Sequence, residues 1–122
     1  MSKVYYDDWN LKTEEEAKQK LQKDFNVVLT DEKILLATYL YEDWTGDAYV
    51  LFEKDNKLFS VHGSHCSCYG LEDQWEAEEI SVEMLEHILK TDAAPIHYAS
   101  DKKAIKERIK EIVLYLKEKT NV

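Results

Sequence analysis

A chain of 122 residues can bury one hydrophobic core but not two. Its 44% hydrophobic content and eight tyrosines exclude a disordered chain, and no apolar run reaches membrane-spanning length. The net charge of −9, with one arginine among sixteen basic residues, argues against direct nucleic-acid binding. Such binding favours a basic face and the donor fork of arginine.

The opening residues, Met1 to Asp8, lack the apolar stretch of a secretory signal, so a soluble protein of the cytoplasm is expected. Tyr5, Tyr6 and Trp9 lie in a polar arm, read as a lid over the helix that follows. Thr13-Glu14-Glu15-Glu16 fits a capping box, and Ala17, Leu21 and Phe25 recur at helical spacing, which predicts a helix over 13–25. Ile34 to Tyr41 reads as a buried strand and Trp44-Thr45-Gly46-Asp47 as a turn. Ala48 to Lys54 is a second strand, Asp55-Asn56 a two-residue hairpin turn, and Lys57 to His62 a third strand. After an acidic stretch over Glu72–Glu79, Ser81 caps a helix carrying Val82, Leu85, Ile88 and Leu89. Pro95 marks a break, and Ser100 caps a last helix. Its stripe of Ile105, Ile109, Ile112, Val113 and Leu116 should pack on the sheet.

The expected fold is α+β, a three-stranded antiparallel meander packed against about three helices, with residues 1–122 as a single domain. Within it, 1–30 form an arm and helix, 33–75 the meander with a Cys/His loop, and 80–122 the C-terminal helices.

Val61 to Trp75 holds both cysteines, two of four histidines and two of three glycines. Four readings of it stay open. His62, His65, Cys66 and Cys68 offer borderline-soft ligands for zinc, although Cys66-x-Cys68 lacks the usual CxxC spacing. A cysteine beside His62 or His65 could form a nucleophilic thiolate pair in a cysteine-dependent enzyme, and a pocket lined by the strand aromatics could take a small ligand. Alternatively, the stretch is a tight, partly buried loop in which glycine lets the backbone press on the sheet while Tyr69 and Trp75 pack over it. With so few residues between them, the cysteines are expected as thiols or ligands rather than a disulfide. The same loop could also serve protein recognition, with Tyr69, Trp75 and Trp44 as aromatic anchors and Glu72, Asp73 and the following acids as a rim.

From Ile34 to about Leu89 the chain resembles a group of small proteins of tailed bacteriophages and prophages. The residues that carry the likeness are Ala48-Tyr49-Val50-Leu51-Phe52, Lys57-Leu58-Phe59, Ser64-His65-Cys66-Ser67-Cys68-Tyr69-Gly70-Leu71-Glu72 and Gln74-Trp75-Glu76. The resemblance implies an accessory protein of the host-cell cytoplasm, acting as a non-enzymatic binding module. Its partner would be a host protein, which it inhibits or redirects, for example to block a defence system. It assigns no cofactor, so zinc rests on the ligand types alone.

Overall fold

The structure, a computed structural model, describes residues 4–7, 9–42, 45–66, 71–72, 74–91 and 102–120. The side chains of Asp7, Tyr41, Glu42, Thr45, His65, Cys66, Lys102 and Thr120 lie outside that description. The chain is α+β. Strands β1 (Tyr5–Asp7), β2 (Lys33–Glu42), β3 (Thr45–Lys54), β4 (Lys57–Cys66) and β5 (Glu78–Ile80) form one sheet in that order. Helix α1 is Glu14–Phe25, α2 is Val82–Thr91 and α3 is Lys102–Thr120.

The expected meander is present as β2-β3-β4, but two further strands flank it. β1 pairs parallel with β2, while the remaining pairs are antiparallel, so the sheet is five-stranded and mixed. Each added strand has only three residues, too short for an alternation to show. The arm expected as a lid instead splits across the sheet: Tyr5 enters one core and Tyr6 the other. The turn expected at Trp44–Asp47 is also corrected. Thr45, Gly46 and Asp47 are strand residues facing His65–Ser64 and Cys66, and Glu42 pairs with Thr45. Asp55 and Asn56 do make the β3–β4 turn, with φ of 54° and 63°, the left-handed pair that suits the twist of a tight hairpin.

Both faces of the sheet are covered, and alternation along β3 sorts its residues between them. Ala48, Val50 and Phe52 face α1, Leu29 and Trp9, while Tyr49 and Leu51 face α2 and α3. A strand buried on both sides must read as a continuous apolar run, as Ala48 to Phe52 does. Burial of Tyr49 pushes its phenol pKa up.

On the first face, Thr13 Oγ1 accepts from the Glu16 N–H at 3.1 Å, and the Glu16 carboxylate takes the Thr13 hydroxyl rather than a backbone N–H. The helix ends at Asn26 in the left-handed conformation, φ 57°. Trp9 is completely buried between Phe25 and Tyr39 and donates from Nε1 to Asp24 at 2.8 Å.

On the second face, the stripe of α3 packs on the sheet together with Leu85 and Ile88 of α2. A bulge in β2 between Ile34 and Leu36 turns both Leu35 and Leu36 into this core. Arg108, the single arginine, donates from Nε to the Leu35 carbonyl at 2.9 Å and ties α3 to the bulge. Near the helix's other end, Tyr115 and Lys119 both donate to Glu53, at 2.9 and 2.6 Å. Burial works to raise the Glu53 pKa, but these two hydrogen bonds and the charges of Lys119 and Lys33 together outweigh it and lower the carboxyl from its usual value. The hydrogen bond to Glu53 raises Lys119 in turn.

Candidate functional site

The unusual stretch begins as strand rather than loop. β4 runs unbroken through His62, Gly63, Ser64, His65 and Cys66, in register with Tyr49 back to Thr45. On the α1 face, Gly63 lies opposite Ala48. Two small residues side by side leave a shallow seat there, and Leu71 fills it. A Cβ on Gly63 would meet Leu71 Cδ2 at 3.0 Å and Phe25 Cε1 at 3.1 Å. Glycine at 63 admits this close approach, and its φ is not positive.

Three residues on, Gln74 closes the strand edge. Its Oε1 accepts from the Ser64 N–H at 2.8 Å, and its Nε2 donates to the Ser64 carbonyl at 2.6 Å. The β4–β5 register pairs Leu58 with Ile80 and Ser60 with Glu78. Extended by two more steps, that register sets Ser64 opposite Gln74. The backbone instead curls, with the Gln74 N–H bonded to Leu71 and the Glu76 N–H to Gln74. The side-chain amide takes the place of the missing backbone rung and satisfies an edge that would otherwise stay open.

Trp75 then covers the seat. It stacks on Phe52 at 5.5 Å and 13°, and meets Phe25 edge-on at 5.1 Å and 73°. It is half-buried and belongs to the α1-side core. Outside it, Glu72, Glu76, Glu78 and Glu79 are all exposed, forming an acidic rim along this sheet edge.

The residues singled out in the sequence therefore part company. Trp75 is a packing residue in this arrangement, and Glu72 is on the rim. Trp44, Tyr69 and Asp73 lie outside the described residues. Of the four expected zinc ligands, only His62 has a described side chain. It is exposed, and its Nε2 lies 3.3 Å from Asp47 Oδ1. Cys68 and the side chains of His65 and Cys66 lie outside the description. Among the described residues, no group of three or more His, Cys, Asp or Glu is placed to hold a metal ion. The aromatics expected to line a ligand pocket pack on one another, with Phe52 and Phe59 stacked at 5.2 Å. No described helix is long and apolar enough to cross a membrane.

No family model, curated protein or solved structure matches the chain.

Sequence reasoning missed the roles of Gly63 and Gln74. A signal for the first was present: Ala48 and Gly63 become neighbours as soon as the Asp55-Asn56 turn fixes the hairpin register. Nothing local announces the second, because an amide that imitates a backbone rung has no spacing rule of its own.

Proposed function

We propose that the chain is a non-enzymatic protein-binding module of the phage-accessory kind, which docks a basic surface of a host protein on its acidic rim and so inhibits or redirects that protein. The observation that carries this reading is the exposure of Glu72, Glu76, Glu78 and Glu79 along one edge, held by the Leu71, Gln74 and Trp75 contacts. A rim fixed to a sheet presents its charge pattern without the ordering cost that a loose segment incurs on binding. Like charges along one edge also favour a cationic counterpart and speed its encounter.

The test is affinity capture from a host lysate with the wild-type chain and with a Glu76→Gln, Glu78→Gln, Glu79→Gln variant. The reading predicts a captured protein whose binding weakens with added salt and falls at least tenfold in the variant, while thermal unfolding stays within a few degrees. Equal capture by both proteins would remove the rim from the interface.

A further inference from the structure

A second surface lies on the opposite side of the sheet and owes nothing to the rim. Glu86 pairs with Lys117 at 3.4 Å, while Leu89 and Lys90 share a groove with Lys110 and Val113, so α2 and α3 run antiparallel. That groove has a volume of about 470 Å³ and is lined by Glu86, Leu89, Lys90, Lys110, Val113 and Leu114. Leu114 is 61% exposed. At 100° per residue it sits about 155° around the helix from the centre of the stripe that packs on the sheet, so the core does not explain it. Leu89, Val113 and Leu114 are the groove's apolar lining, and each helix adds a lysine, Lys90 from α2 and Lys110 from α3.

The charge of α3 is the reverse of the rest of the chain. Helix α3 holds seven of the sixteen basic residues and three of the twenty-five acids, leaving nine basic and twenty-two acidic residues elsewhere. The Glu86 carboxylate beside the groove is neutralised by Lys117. An anionic partner is repelled by most of this protein and attracted at this groove.

We infer that the α2–α3 groove docks an amphipathic helix of a partner protein, with an apolar stripe and acidic flanks. A third helix is what two antiparallel helices with an open apolar seam accept. The described helices of this chain cannot supply it, because α1, α2 and α3 each commit an apolar stripe to one of the two cores. A second copy placed across a two-fold axis would set the flanking lysines against their own counterparts, which disfavours self-pairing. With a basic partner on the rim and an acidic helix in this groove, the molecule would bridge two proteins.

The experiment titrates the full chain with two labelled designed peptides of about fifteen residues, each with a leucine stripe and flanked by glutamate in one and lysine in the other. The glutamate peptide is expected to bind roughly tenfold or more tightly than the lysine peptide, with NMR shift changes centred on Leu89, Lys110 and Leu114. Leu114→Lys should weaken it by about tenfold with unfolding unchanged, since the residue is exposed. Lys90→Glu with Lys110→Glu should reverse the preference. The Glu76, Glu78, Glu79 glutamine variant should bind the peptide normally, which separates this inference from the rim. Equal binding of both peptides, or shifts centred elsewhere, would overturn it. So would a wild-type dimer that Leu114→Lys dissolves, which would make a second copy the occupant. Binding to phosphatidylserine vesicles that the glutamate peptide fails to displace would overturn it as well.

Discussion

The two faces of the sheet are built from different materials and finish differently. The α1 face is aromatic: Trp9, Phe25, Tyr39, Phe52, Phe59 and Trp75 interlock, and Leu71 packs beside them. The α2–α3 face is mainly aliphatic, with Ile105, Ile109, Ile112, Leu85 and Ile88 over Leu36 and Leu51, and its outer seam stays open at Leu114. Flat rings fix one another's orientation and leave little room for rearrangement, so they suit a face that must hold a charged edge in place. Aliphatic side chains fill a seam between helices without dictating what lies beyond it. One face is closed by Leu71, Gln74 and Trp75, and the other ends in a groove that the described residues leave open.

The contrast can be broken most severely at Trp9. Trp9→Ala should cost about 4 kcal/mol, because a completely buried ring is lost and Asp24 loses its indole partner. Denaturant unfolding measures it, and a cost below about 1 kcal/mol would mean that the aromatic face is not the rigid one.

Gly63→Ala comes next, at about 2 kcal/mol, since the new methyl group crowds Leu71 and Phe25. The same change combined with Leu71→Ala should cost less than the sum of the two single changes, and strict additivity would show that the two residues do not touch.

Gln74→Ala should cost about 1 to 2 kcal/mol by removing both bonds to Ser64. Gln74→Glu should not rescue it, because a carboxylate cannot donate to the Ser64 carbonyl.

The smallest effect belongs to the other face. The Glu53 carboxyl is held below its ordinary pKa, so its stabilisation is complete above the unfolded-state value, near 4.3, and is lost as pH falls through the folded one. Lys119 is raised, so its share is complete below its ordinary value, near 10.4, and fades as pH rises through the folded one. Glu53→Gln should cost about 1 kcal/mol at neutral pH and progressively less in acid as Glu53 takes up its proton, the exposure of Lys119 limiting the gain. A cost that does not fall in acid would deny the pair its ionic part.

Much of this fold is written in short-range patterns. The Thr13 cap, the α1 and α3 stripes and the Asp55-Asn56 turn each depend on residues within a few positions, and each can be read from them. What escaped depends on partners far apart in sequence. Tyr5 to Asp7 become a strand only because Ala37 to Tyr39 offer a free edge, and Glu78-Glu79-Ile80 become one only because Leu58 to Ser60 do. Trp75 reads from the sequence both as packing over the loop and as an interface anchor, and only Phe25 and Phe52, distant in sequence, show what its ring rests on. Leu114 shows the reverse, being visibly off its helix's stripe although no sequence rule says what it meets.

The most direct test of the central claim, that the Gln74 side chain closes the edge of β4 at Ser64, is amide hydrogen exchange at Ser64 in the wild type and in Gln74→Ala. The account predicts a protected Ser64 N–H in the wild type whose protection falls to that of an open strand edge in the variant, while Val61 and Val50 keep theirs. Equal protection of Ser64 in both proteins would mean that something other than Gln74 holds that edge.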